Sequence, residues 1–263
     1  FVRTAEDMEK TGGKRRAENM LGTVLWITAL AGVGGTGAGG ILTCGFRRDA
    51  ERTISLLLSF AAGVMLAVVC GDLLADALSQ RSGAFGLGLT AGGVLSGYGL
   101  VGLLNRVAAQ DQPEQSQGLF WAGVVMAAAI ALHNLPEGIV IGASFARGAE
   151  NGGLAMAAVI GLHNIPEGMA ITVPLVSGGM GRLRAAGLAA AAGAPTILGA
   201  ALGYMLGMLG PVWLALALSF AAGAMLYVVF GELLPESTAL CRSEMPSLAV
   251  VAGILVGLCI TAL

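Results

Sequence analysis

The sequence predicts an all-α, polytopic membrane protein of about eight transmembrane helices. Of its 263 residues, 56% are hydrophobic and only 11% are charged, and the mean hydropathy is +0.82. A soluble domain of this length carries far more charge. The apolar residues form long continuous runs, whereas a transmembrane β-barrel alternates apolar and polar residues. The 42 glycines suit helices that pack closely in lipid.

Eight stretches are long and apolar enough to cross a bilayer as helices, which takes about 20 residues. The longest polar connection between them is predicted from Arg106 to Gly118. Residues 1–19 are polar and of mixed charge, so we expect a tail rather than a signal peptide, followed by one transmembrane domain over residues 20–263. The predicted spans are Met20–Gly45, Ile54–Leu78, Ala84–Asn105, Leu119–Ala146, Asn151–Ser177, Ala185–Met208, Pro211–Leu234 and Ser247–Leu263.

The distribution of arginines favours an N-terminus outside the cell, because inner connections carry an excess of basic residues. The basic residues of the tail argue for the opposite orientation, but the connections repeat the same bias along the chain. Arg81 and Arg147 would lie in outer connections, and the inner connections would hold Arg47, Arg48, Arg52, Arg106, Arg182, Arg184 and Arg242.

Charge and cysteine content exclude further classes of function. A net charge of −2, without a run of like charges, indicates no nucleic-acid partner. The four cysteines are scattered and form no CxxC pair. We interpret them as ordinary small residues of apolar segments.

Two internal repeats are visible. SFAAGVMLAVVCGDLL at 59–74 returns as SFAAGAMLYVVFGELL at 219–234, with 12 of 16 positions identical. LHNLPEG at 132–138 returns as LHNIPEG at 162–168. Span two therefore matches span seven, and span four matches span five. An odd number of spans between related halves inverts them, as in many secondary transporters, so we predict inverted repeats of spans 1–3 and 6–8 around a central pair.

Acidic residues lie inside the apolar spans, where a charge is costly and usually functional. No Lys or Arg lies within the predicted spans. Buried carboxylates without a basic partner either take up protons or hold a cation, and a metal ion would supply the missing positive charge. The residues are Asp72, Asp76, Glu137, Glu167 and Glu232, with Glu236 just beyond its span.

The two histidines of the chain, His133 and His163, both lie in the repeated HNxPEG motif. Each is followed four residues later by a glutamate, which places both side chains on one face of a helix. Imidazole nitrogen and carboxylate oxygen are a common ligand set for zinc and its neighbours. The sequence therefore predicts a metal site on the central pair of spans.

The rest of the motif suits the same site. Pro136 and Pro166 cannot donate a backbone N–H, so each span is expected to kink and leave a carbonyl free, which membrane proteins tolerate where the backbone lines a cavity. Asn134 and Asn164 add neutral oxygen donors.

Residues of spans two and seven are weaker candidates for metal ligands. Met65 lies two helical turns before Asp72 and is as readily a filler as a ligand. Glu232 lies near a span end, where a carboxylate still needs a partner. Asp76 and Glu236 lie one turn further along, where they either line an exit route or face water.

With HNLPEG at 133–138, HNIPEG at 163–168 and the FAAGxML segments of spans two and seven, the chain resembles the ZIP family of zinc- and iron-regulated transporters over essentially all eight spans. The resemblance implies transport of divalent metal ions, zinc first, toward the cytoplasm across the cell membrane. Histidine, carboxylate, amide and thioether ligands also suit Fe²⁺, Mn²⁺ and Cd²⁺. It implies passive or proton-coupled alternating access, in which the two halves move relative to each other, and a transported metal rather than an enzyme cofactor.

The resemblance also implies a mid-membrane, binuclear metal site in which Glu137 and Glu167 bridge both ions. Asp72 replaces the small polar residue that is frequent in the family, so it is expected to add a ligand. The family's histidine-rich loop between spans three and four is absent from the sequence. Expected partners are metal ions and the lipid bilayer, with a homodimer left open. The first ion would contact Met65, His133, Glu137, His163 and Glu167, and the second Asn134, Glu137, Asn164, Glu167 and Glu232.

Other functions stay open on the residues alone. Glutamate and histidine on packed helices also build the sites of carboxylate-bridged di-metal enzymes, although oxidases of that kind usually show more histidines. A proton or sodium carrier would use the carboxylates but gives no role to the paired histidines. An intramembrane metalloprotease lacks its HExxH motif here.

Overall fold

The computed structural model describes residues 19–43, 50–110, 119–146 and 150–261, and these residues form eight helices. Seven of them are long and apolar enough to cross a membrane, and the eighth contains a shorter apolar stretch. The predicted all-α, polytopic membrane fold is confirmed. The helices are α1 (Asn19–Thr43), α2 (Glu51–Gln80), α3 (Gly83–Gln110), α4 (Leu119–Ala146), α5 (Glu150–Ser177), α6 (Arg182–Met208), α7 (Pro211–Leu240) and α8 (Met245–Thr261).

Several helices extend beyond the predicted spans. The fourth span was predicted with its observed bounds, but α7 continues past Leu234 to Leu240, and α3 continues through Gln110 into the predicted linker. Arg182 and Arg184, which were predicted in a connection, lie in the first turn of α6. Hydropathy marks only the apolar part of a helix, whereas backbone hydrogen bonds extend it into the headgroup region. The predicted tail up to residue 18, and residues 111–118, lie outside the described residues.

Helices α2 and α7, which carry the long repeat, run antiparallel to each other. Near the start of α2, the Ser59 hydroxyl lies 2.6 Å from that of Ser237 near the end of α7. At the opposite end of α2, Ala77 packs in one buried cluster with Leu214 and Leu218 from the start of α7. The repeats are therefore inverted, as predicted.

Equivalent glycines of the two repeats make equivalent contacts. Gly63 in α2 and Gly223 in α7 occupy the same place in the repeated sequence. A Cβ atom on Gly63 would overlap the carbonyl oxygen of Val250 in α8, and one on Gly223 would overlap that of Val94 in α3. Close approach of this kind lets membrane helices pack without side chains between them. Each half of the protein thus packs its central helix on the last helix of the other half.

The central helices α4 and α5 also run antiparallel. Gly123 near the start of α4 packs on Leu175 near the end of α5, and Phe145 near the end of α4 packs on Gly153 near the start of α5. Helix α5 packs on α1, and α4 packs on α6. The motif residues of both central helices therefore face the interior, whereas large apolar side chains elsewhere, such as Trp26 and Leu95, are exposed as expected for a lipid-facing surface.

Candidate metal site

Four ionisable side chains are buried together at the middle of α4 and α5. The helices have 28 residues each, and the motif residues lie near their centres. The helices continue through Pro136 and Pro166. The solvent-exposed fraction of each of the four side chains is 1% or less, and they are His133, Glu137, His163 and Glu167.

Each histidine faces the glutamate of the other helix. His163 Nε2 lies 2.8 Å from Glu137 Oε1, and His133 Nε2 lies 3.4 Å from Glu167 Oε1. His163 Nε2 also lies 3.9 Å from Glu167 Oε1 in its own helix. Within each motif, the spacing places His and Glu on one face of their helix. Because α4 and α5 are antiparallel, each histidine then lies beside the glutamate of the other helix. The structure thus brings the four predicted residues together.

Glu232 of α7 joins the same cluster from a third helix. Its Oε2 atom lies 3.9 Å from His133 Nδ1, and its side chain is 16% exposed. Single ligand atoms of His133, Glu137 and Glu167 lie within 4.8 Å of one another, a separation that suits binding to one ion. No Lys or Arg occurs among the buried side chains of the described residues.

Many ligand atoms of the cluster have no hydrogen-bond partner in the described part of the chain. Buried polar atoms are nearly always hydrogen-bonded, so such a concentration requires an explanation. A cation can satisfy the carboxylate oxygens and one ring nitrogen of each histidine, whereas the other ring nitrogen of a neutral imidazole carries a hydrogen and needs an acceptor. The atoms are both ring nitrogens of His133, Nδ1 of His163, Oε2 of Glu137 and both carboxylate oxygens of Glu167.

Two acidic residues, one in α2 and one in α7, lie in π-helical turns. The turn Val69–Leu73 contains Asp72, and the turn Val229–Leu233 contains Glu232. Such turns hold one extra residue and are frequent at functional sites. Neither turn was predicted from the sequence, although the repeated VxGxL pattern that spans them is visible there. Asp72 is half-buried in its turn, and Met65, two turns earlier, is fully buried in the main core.

Asn134 and Asn164 use their amide nitrogens in a way the sequence did not predict. Asn134 Nδ2 donates to the carbonyl oxygen of Ala192 in α6 at 2.8 Å. Asn164 Nδ2 donates to the carbonyl oxygen of Ala31 in α1 at 3.3 Å. The Oδ1 atom of each asparagine is buried and has no hydrogen-bond partner among the described residues. These oxygens are therefore available as neutral ligands.

A cavity of about 580 Å³ connects His133 with one end of the helix bundle. Its polar lining comes from His133, Glu232, Glu236 and Asn105, and Trp121 lies at the start of α4 beside them. The cavity lies toward the end of α3, the start of α4 and the end of α7. Glu236 is exposed and lines this cavity, so its position fits both alternatives left open for it, lining an exit route and facing water.

Comparisons with known proteins find relatives over most of the chain. Residues 105–263 match the family model described as ZIP zinc transporter. The zinc transporter ZupT of Chlorobium luteolum is 35% identical over 254 residues, covering 88% of this chain and 94% of the relative. ZupT of Corynebacterium efficiens is 31% identical over 252 residues, covering 88% of this chain and 92% of the relative. ZupT of Escherichia coli is 32% identical over 240 residues, covering 87% and 92%.

Proposed function

This chain belongs to the ZIP zinc transporter family, and we propose that it carries divalent transition-metal ions, zinc first, across the cell membrane toward the cytoplasm. One observation carries the proposal: reciprocal His–Glu pairs at mid-helix, fully buried, with unpaired ligand atoms. The family is one of transporters, so the metal is a substrate rather than an enzyme cofactor. We include Fe²⁺, Mn²⁺ and Cd²⁺ among the proposed substrates, because imidazole, carboxylate and thioether ligands suit all of them.

A cation is the simplest source of stability for this cluster. Moving a carboxylate from water into the protein interior costs roughly several kcal/mol, even after the surrounding structure relaxes. A carboxylate without a partner gains no interaction that offsets this cost. Glu137 and Glu167 are both fully buried, and the groups facing them are histidines that bind metal only when unprotonated. A divalent ion offsets the carboxylate charge and leaves the histidines neutral.

We assign the site as binuclear, with Glu137 and Glu167 bridging both ions. This assignment is supported by the number of unpaired ligand atoms around the cluster, since a zinc ion usually takes four ligands. The first ion takes Met65 and both histidines in addition to the bridging pair. The second takes the asparagine oxygens and Glu232, and Asp72 adds a ligand from the equivalent π-helical turn of α2.

We propose that transport proceeds by alternating access. Inverted repeats offer two similar arrangements of the same helices, which open the site to opposite faces. In the orientation predicted from the arginines, the α3–α4 connection is cytoplasmic, so the cavity from His133 to Glu236 opens inward and provides the route for release. A homodimer in the lipid bilayer remains part of the proposal, tested by the mass of the purified protein in detergent or nanodiscs.

Reconstitution in liposomes tests the function directly. We expect saturable uptake of radioactive zinc, competition by other divalent metals, and loss of uptake in Glu137→Gln. Glu244→Gln, which changes an exposed glutamate at the α7–α8 connection, is the matched control and should transport normally. Zinc-independent uptake of protons or sodium, or turnover of a lipid or quinone without zinc flux, would overturn the proposal. Repeating the measurement with and without a pH gradient distinguishes proton-coupled from passive uptake.

A further inference from the structure

We propose that two backbone carbonyl groups, those of Ala192 and Ala31, are positioning groups that turn the side-chain oxygens of Asn134 and Asn164 into metal ligands. The inference rests on the proposed function and adds the structural cause of one part of the site. Each carbonyl lies where its helix departs from regular α-helical hydrogen bonding. Each receives an N–H from the amide of the asparagine that it faces.

In α6 the departure is caused by a proline. Pro195 has no N–H, so the carbonyl of Ala191 takes its hydrogen bond from Ala194 instead, at 3.0 Å. The N–H of Thr196, which would reach Ala192 in a regular helix, donates to Gly193 at 3.3 Å. The carbonyl of Ala192 thereby loses its usual donor, and a buried carbonyl needs one. Asn134 Nδ2 supplies it at 2.8 Å.

In α1 the departure is the π-helical turn Leu30–Gly34. At its end, the carbonyls of Ala31 and Gly32 accept from the backbone N–H groups that begin at Gly35. A carbonyl oxygen has two lone pairs, so that of Ala31 can accept a second hydrogen bond. Asn164 Nδ2 uses this capacity at 3.3 Å.

These contacts fix the orientation of both amides. A carbonyl only accepts hydrogen bonds, so the NH₂ side of each amide must face it, and the oxygen of the planar group points the other way. Both Oδ1 atoms are buried and have no hydrogen-bond partner in the described parts of the chain. Asn134 lies three residues before Glu137, and Asn164 three before Glu167, so each oxygen shares a helical face with a carboxylate of the metal site. Partners outside the ligand set commonly orient metal ligands in this way.

The two interruptions also meet each other. A Cβ atom on Gly32 of α1 would lie 2.6 Å from the carbonyl oxygen of Gly193, and one on Gly193 of α6 would overlap the carbonyl oxygen of Gly32. The interrupted turns therefore pack backbone to backbone, beside the helices that carry the asparagines. This packing restrains the backbone segments that carry both positioning carbonyls.

The test removes the cause of the α6 interruption. In Pro195→Ala, residue 195 regains its N–H, Thr196 can return to Ala192, and Asn134 meets a competitor. We expect the Kd for zinc, measured on purified protein against a chromophoric chelator, to rise about tenfold, as outer-shell changes do. Pro211→Ala is the matched control: Pro211 occupies the first turn of α7, where no N–H is needed, so the zinc Kd should stay unchanged.

A double-mutant cycle shows whether the effect runs through Asn134. If it does, Pro195→Ala adds little to the loss caused by Asn134→Ala, but adds its full effect to that of Asn164→Ala. Equal additivity in both cycles would overturn the inference, even if wild-type zinc flux supports the proposed function. Absence of wild-type flux would instead remove the function itself.

A second variant keeps the inference testable should Pro195→Ala fail to fold. Asn134→Asp retains an oxygen ligand and adds a negative charge, but its carboxylate cannot donate to Ala192. We expect weaker zinc binding than in the wild type, despite the added charge. Equal or tighter binding would show that the contact with Ala192 does not position the ligand.

Discussion

At the scale of single residues, the site depends on contacts between two copies of one motif. The HNxPEG spacing allowed His133 and Glu137 to be assigned to one helical face from sequence. It could not reveal that each histidine pairs with the glutamate of the other helix, because spacing within one helix carries no information on how two helices pack. The hydrogen bond from Asn134 Nδ2 to the carbonyl oxygen of Ala192 could not be predicted for the same reason, since the two residues lie 58 positions apart in the sequence.

His133→Ala and Glu137→Ala are each expected to reduce zinc uptake in liposomes to less than about a tenth of the wild-type rate, in line with the loss of a metal ligand together with its charge balance. Both variants should still fold, because neither residue forms part of the apolar helix contacts. Size-exclusion elution and thermal unfolding check the fold. Normal uptake by either variant would count heavily against the assigned site.

Met65→Ala is expected to have a milder effect, because one soft ligand among several is replaceable. The loss should be larger for cadmium than for manganese, since a thioether prefers soft metals. Met225→Ala is the control: Met225 is the repeat equivalent of Met65 and is also fully buried, so both variants create a similar cavity, with a cost of about 2–5 kcal/mol. An identical change of metal preference in both variants would remove Met65 from the ligand set.

At the scale of helices, the sequence located every span but not the departures from regular geometry. Apolar run length marks a span whatever its internal hydrogen bonding, so α1, α2 and α7 were found without their π-helical turns. The interruption of α6 had a visible signal in Pro195 within an otherwise apolar span. Proline also occurs inside α4 and α5, where the helices continue, so the residue alone does not separate the two outcomes.

Two glycines of α3 test the packing between helices. A Cβ atom on Gly97 would overlap the carbonyl oxygen of Phe220 in α7, whereas Gly99 has open space around it. We expect Gly97→Ala to destabilise the protein by about 1–3 kcal/mol through overpacking. Gly99→Ala should be neutral or stabilising by roughly 0.5–1 kcal/mol, since alanine favours a helix. Unfolding in detergent measures both, and equal stability of the two variants would contradict the α3–α7 contact.

At the scale of the whole molecule, the packing divides the helices differently from the sequence repeat. The most extensive contacts join α1, α4, α5 and α6 into one group and α2, α3, α7 and α8 into another, and smaller contacts of α2 with α5 and of α4 with α7 connect the two groups. Each group contains helices from both repeats, so the two repeated halves are interlocked. We therefore expect alternating access to move one group against the other, rather than one half against the other.

Disulfides in a variant lacking the native cysteines separate these two movements. Ser59→Cys with Ser237→Cys links α2 to α7 within one group, where the two hydroxyls lie 2.6 Å apart. Oxidation of this pair should leave zinc uptake intact. Ala143→Cys with Leu218→Cys links α4 to α7, whose side chains share one buried cluster, and oxidation should block uptake until a reductant is added. Block by the first pair alone would favour movement between the repeated halves.

The π-helical turns of α2 and α7 also bear on the evolutionary origin of the repeated segments. Both hold their additional residue at the same place in the repeated segment, with Asp72 and Glu232 at matching positions. Two independent insertions would both have had to arise at the same position of the repeated segment, although the two copies of that segment run in opposite directions in the fold. The simplest ancestry has a single insertion in an ancestral half-length protein before its gene was duplicated, so the acidic turn is older than the transporter that now contains two of them.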